Sequence, residues 1–199
     1  MARITTDEMD TIRARKHALA IAIERRRSSK WLLRLWSRFI KTRDAFRCLC
    51  CESRERIQAH HIIRRTRYPL GVLELGNGVT LCPECHRRVH AEFNGRPNLS
   101  MPLGAEQGDD IDEWSFLFGI LCDDAARRGV SEDEFYHLGD EILEYSISYQ
   151  GYQELTVSVG QGNISRIKFA HEIWRIAPES FYEDLGSNIA MILLRNDAK

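Results

Sequence analysis

In two cysteine pairs, Cys48-x2-Cys51 and Cys82-x2-Cys85, the second begins 31 positions after the first ends. Thiolates two residues apart can grip one ion from a single bend, and two such bends complete a tetrahedron. Four sulfur ligands leave no open position for water or substrate, so the pattern predicts a structural zinc. Cys50 lies inside the first pair and is read as a bystander. Cys122, alone in an apolar run, is read as a small buried hydrophobe. Four of the 7 histidines lie beside these pairs: His60, His61, His86 and His90. His86 and His90 are four residues apart and share one face of a helix. His60 and His61 are adjacent on an extended segment, so their side chains diverge. One can face an ion held against the helix while the other points elsewhere. Cys82 to His86 also has the CxxCH form of a c-type haem attachment. The second CxxC and the lack of an export segment make that the weaker reading.

The elements that must carry these residues follow from periodicity and capping. Thr5-x-x-Glu8 has the form of a capping box, opening a helix to about Arg25. A second helix is predicted from about Lys30 to Asp44. It places Trp31, Leu32, Leu35, Trp36 and Phe39 at helical spacing, and Arg34, Arg38 and Lys41 along another side. Residues 46–63 read as a hairpin with a metal knuckle at its first bend. Residues 64–78 read as a loop, and Val79-Thr80-Leu81 leads into Cys82. A helix is expected from Pro83, a good first-turn residue, to about Phe93. Residues 94–110 read as a linker. Beyond it, helices are expected over 112–128 and 163–176, with a last one over 179–195. Ser131-x-x-Glu134 predicts another from there to about Tyr149. Leu155, Val157 and Val159 alternate, which predicts a strand or an extended link.

The 199 residues carry a net charge of −1 that hides a split. Residues 1–98 hold 21 Lys+Arg against 10 Asp+Glu, and residues 99–199 hold 7 against 19. A basic half suits a polyanion, and an acidic half is expected to face away from it. With 43% hydrophobic residues and only 5 prolines, the chain is globular rather than disordered. No apolar run reaches the roughly 18 residues needed to cross a bilayer. No signal peptide is read at the N-terminus, so a cytoplasmic protein with reduced thiols is expected. The domains expected are 1–45, basic helices; 46–98, a finger; and 99–199, an acidic and mainly helical region.

Arg43-Asp44-Ala45-Phe46-Arg47-Cys48-x2-Cys51, Ala59-His60-His61-Ile62, Asn77-Gly78-Val79-Thr80-Leu81-Cys82-x2-Cys85-His86 and x3-His90 together resemble an HNH endonuclease of the four-cysteine type. The resemblance covers about residues 40–92. It implies a ββα-metal finger; with the helices read on either side, the fold expected is α+β, mostly α, with N-terminal helices and a separate, mainly helical C-terminal region. It implies that His60 and His86 hold a divalent ion, with His90 as a third ligand, and that His61 is the general base. Asn77 would brace the finger loop or orient the base. Gly78 is a departure, because an apolar residue is usual there, and the change is expected to loosen the loop.

The implied activity is hydrolysis of DNA phosphodiester bonds, leaving 5′-phosphate and 3′-hydroxyl ends. Structural Zn²⁺ and one catalytic ion are the expected cofactors. Mg²⁺ and Mn²⁺ suit the second site, as do Ni²⁺ and Zn²⁺. Arg64, Arg65, Arg67, Arg87 and Arg88 are expected to meet phosphates, and Arg34, Arg38, Lys41, Arg43 and Arg47 lead into the same region. The acidic half could self-associate, cover the basic face or dock on another protein. Family analogy suggests an effector of anti-phage defence or restriction. A zinc-stabilised module that binds DNA without cutting it is the alternative.

Overall fold

The computed structural model describes residues 3–66, 69–90, 111–140 and 153–176. Helix α1 spans Thr6–Glu24 and opens with the expected capping box, Thr5 and Glu8 bonding each other reciprocally. Helix α2, Ser29–Arg43, packs along it and buries Trp36, Phe39 and Ile40. The N–H of Phe46 reaches Lys41 O and that of Ala45 reaches Thr42 O, the paired bonds of a Schellman ending. Ala45 and Phe46 both take left-handed backbone angles, with φ 55° and 52°. That reversal delivers the chain into the cysteine knuckle.

The knuckle does not form a hairpin within residues 46–63. Its left-handed residues, among them Glu52 and Arg56, keep it coiled. Strand β1, Gln58–His61, pairs instead with β2, Gly78–Leu81, antiparallel and with His61 opposite Gly78. The long connection carries a 3-10 turn at Pro69–Leu73. Helix α3, Pro83–Arg88, follows β2 and is shorter than expected, closing at Val89. This is a ββα unit.

Helix α4, Ile111–Arg128, matches its expected span. Helix α5 is only Glu132–Phe135, although Ser131 caps it as expected. It stops because the next residues bond to the finger. His137 O accepts from Gly76 N at 2.8 Å, and Gly139 N donates to Glu74 at 2.7 Å. Gln153–Gly160 is a helix, α6, and not a strand. Leu155 and Val159 pack on the core four residues apart, while Val157, which alternation would bury with them, is 55% exposed. Helix α7, Arg166–Ile176, starts later than expected, with Ser165 rather than Asn163 capping it. The expected linker at 94–110 and last helix at 179–195 lie outside the described residues, as does the domain boundary near residue 99.

The buried apolar residues form one cluster from Ile12 to Trp174, shared by the finger and the C-terminal helices. Charged groups cross the same junction. Arg47 pairs with Asp124, both 1% exposed. Arg128 binds Asp124 at 3.1 Å and Arg43 O at 2.5 Å. Burial pushes the Asp124 carboxyl up, but Arg127, Arg47 and Arg128 outweigh it and hold the pKa below its usual value. Arg43 reaches Leu75 O and Gly78 O, each at 2.6 Å, and Asp44 at 2.8 Å. Asp44 in turn accepts from Thr80 N at 2.8 Å. Arg43 and Arg47, expected among the exposed cations, are therefore internal struts. Among the described residues, no helix is long and apolar enough to cross a membrane.

Candidate metal centres and active site

Cys48 and Cys51 come from the knuckle, Cys82 from the end of β2 and Cys85 from α3. Their four sulfurs lie within 4.8 Å of one another. Ligands about 2.3 Å from a tetrahedral zinc stand about 3.8 Å apart. The Cys51 and Cys82 sulfurs are 3.6 Å apart, so the cluster fits such an ion. Cys48, Cys82 and Cys85 are buried, and none of the cysteines is in a disulfide. The N–H of Cys85 bonds the Cys82 sulfur and draws that thiol down to about 7. Burial pushes the Cys85 thiol up. Cys50 lies outside the cluster, and burial and Cys48 raise its thiol to about 12. Cys122 is buried in the core.

The second cluster is made of imidazoles. His60 on β1 faces His86 and His90 on the α3 side, with ring centroids 4.9 to 5.0 Å apart in edge-on pairs. Their ligand atoms also lie within 4.8 Å of one another. All three are pushed toward the neutral form. Burial is the first cause, joined at His60 by His86 and His90, and at His86 by Arg64. His90 falls to about 4 through burial, Arg64 and His86. Neutral imidazoles close together offer lone pairs to a cation without repelling it. One of those lone pairs is engaged: Arg64 donates to His90 Nδ1 at 2.8 Å. His90 can ligate through that nitrogen only by giving up the bond to Arg64.

His61, the next residue on the strand, is not one of this trio, although it lines the same cleft. Its Nε2 lies 3.0 Å from Val72 O. A carbonyl can only accept, so Nε2 carries the proton and Nδ1 keeps the lone pair. Burial lowers the pKa of His61, and Arg65 adds to this against the bond to Val72. The other support is Trp36, whose ring stacks on the imidazole at 4.0 Å with the planes 8° apart.

Asn77 is fully buried and spans the finger loop. Its amide donates to Ile63 O and Gly71 O, both at 3.1 Å, and its oxygen accepts from Ile63 N at 2.8 Å. It thus fixes Ile63, two residues after His61, and Gly71, the residue before Val72. The glycine after it does not loosen this loop. A side chain there would meet Trp36, so the indole occupies the space.

A cleft of about 290 Å³ is lined by His60, His61, His86, His90, Arg64 and Arg65, among others. Arg87 and Arg88 are exposed on α3 and do not line it, and Arg67 lies outside the described residues. The sequence reading gives Trp36 and the Arg43–Asp44 strut no role at the site. The one signal was an Arg-Asp pair and a tryptophan placed on the helix that leads directly into the knuckle.

Residues 48–92 match the family model of the HNH endonucleases. This segment holds both clusters and supports a nuclease-type or DNA-binding function. No curated protein and no solved structure shows significant similarity to the chain.

Proposed function

We propose that this protein is an endonuclease that hydrolyses phosphodiester bonds in DNA. One observation carries the reading: three neutral imidazoles cluster in the same arginine-lined cleft as a fourth whose Nδ1 lone pair is left for a proton. His60 and His86 would hold a divalent ion, Mg²⁺ or Mn²⁺ by preference, with His90 joining on release from Arg64. That ion would act as a Lewis acid, neutralising charge on the phosphate and the leaving oxygen. His61 Nδ1 accepts the proton of the attacking water. Val72 O and Asn77 keep its other nitrogen engaged. Arg64 and Arg65 bind phosphate oxygens, which orients the strand without reading its sequence. The four cysteines hold a structural zinc that joins the knuckle to α3. A role in anti-phage defence or restriction, in the cytoplasm, completes the proposal on family analogy alone.

Nicking of supercoiled plasmid tests it. The full chain should nick with Mg²⁺ or Mn²⁺, and His61→Ala should lower the rate about 10²- to 10⁴-fold with zinc content unchanged. If native protein and His61→Ala are equally inert across several divalent ions, the finger is a binding module and the enzyme reading is lost.

A further inference from the structure

His61 is held at one edge by Val72 O and across one face by Trp36. A histidine ring turns about a broad terminal torsion, so a single hydrogen bond leaves it free to rock. The indole removes that freedom. It is anchored in its own right, donating from Nε1 to Glu74 O at 3.0 Å, and it is 2% exposed. Glu74 lies two residues beyond Val72, so both supports of the imidazole belong to one stretch of loop.

The space the indole fills exists because residue 78 has no side chain. A Cβ there would come 2.5 Å from Trp36 Cζ2 and 2.7 Å from Ile40 Cδ1. Contacts under about 3.0 Å force a shift. Gly78 is not among the glycines with positive φ, so the backbone conformation does not demand it. Packing does. Gly78 is also the register partner of His61 across the two-stranded sheet. The missing side chain therefore lies directly opposite the residue that the indole covers.

We infer that Trp36 is a positioning residue for the reaction, its indole seated over Gly78 and stacked on His61 so that Nε2 stays on Val72 O and Nδ1 stays presented to the cleft. This rests on His61 serving as the base. Trp36 touches no substrate and acts through the imidazole. A displacement near 1 Å at such a group costs about 10²-fold in rate.

The test uses the full chain, with zinc content and thermal melting recorded for every variant. Trp36→Phe keeps a flat ring and should hold kcat within a few-fold of native. Trp36→Leu keeps an apolar filler without a ring, and its kcat for plasmid nicking should fall about 10- to 100-fold with KM little changed. Gly78→Ala should reproduce that loss without altering Trp36, by expelling the indole. In the His61→Ala background, Trp36→Leu should cost nothing further, because the two residues act as one unit. An equal loss in both backgrounds would make Trp36 a packing residue only and overturn the inference, as would native kcat in Trp36→Leu. Imidazole nitrogen NMR gives a readout that needs no activity. His61 should be a single Nε2–H tautomer in native protein and Trp36→Phe, and a mixture in Trp36→Leu. An unchanged tautomer in Trp36→Leu contradicts the inference. If native protein and His61→Ala are equally inert across several divalent ions, it is the nuclease reading that fails, independently of the tautomer result.

Discussion

The two clusters of this finger share a wall and differ in what surrounds it. Cys85 and His86 are neighbours on the six-residue helix α3, and each belongs to a different cluster. The sulfurs converge from the knuckle and α3, three of the four buried, with no ligand position to spare. The imidazoles open on a cleft lined by Arg64 and Arg65. A closed site can only hold the fold together, while an open one can admit phosphate and water. On the proposed reading, zinc on the four cysteines would fix α3 against the sheet, and that placement would bring His86 and His90 to His60.

This dependence should be one-way, and the largest effect tests it. Cys82→Ala should abolish zinc binding and melt the finger, since structural zinc contributes roughly 10–16 kcal/mol in small finger domains. Zinc content and thermal melting read the result, and nicking should vanish as well. Next in size is Asp124→Ala, which takes from Arg47 its buried partner and leaves it only the exposed Glu52 at 3.3 Å. Breaking such a pair costs about 3–5 kcal/mol. Denaturant melting should shift by that amount, while metal affinity at the histidines stays unchanged. His86→Ala reverses the pattern. Zinc content and melting should stay near native, while affinity for Mn²⁺ falls by more than about 100-fold, as titration calorimetry would show.

The smallest effect is one of pH. His60, His86 and His90 all have folded pKa values below the usual 6.5. The unfolded chain therefore binds more protons than the folded one as pH falls below that value. Without added divalent ion, stability should begin to decline as pH falls below 6.5, before the carboxylates titrate. His90→Gln should flatten that decline, measured by thermal melting across the range. A pH-independent melting temperature in native protein would mean that these rings are not held neutral.

Much of the site was legible because ligand spacing is local. A CxxC closes one bend and an i, i+4 histidine pair marks one helix face, so both clusters can be read from short windows. The supports are not local. Arg47 meets Asp124 across 77 positions, and Trp36 meets Glu74 across 38. Nothing in a run of arginines before the knuckle separates the buried Arg43 and Arg47 from the exposed Arg34 and Arg38. Tertiary bonding decided the remaining differences. The capping signal at Ser131 was real, but His137 and Gly139 bond to the finger loop and end the helix early. At Leu155 to Val159 two periods fit a short apolar run equally, and only packing chose the helical one.

On the proposed reading, the sulfur and imidazole clusters hold two ions with different tasks. Anomalous scattering from crystals of the full chain grown with Mn²⁺ tests it most directly. The account predicts a zinc peak amid Cys48, Cys51, Cys82 and Cys85, and a separate manganese peak against His60 and His86 with His61 facing the same cleft. A zinc peak alone, with no ion at the histidines under saturating Mn²⁺, would contradict it.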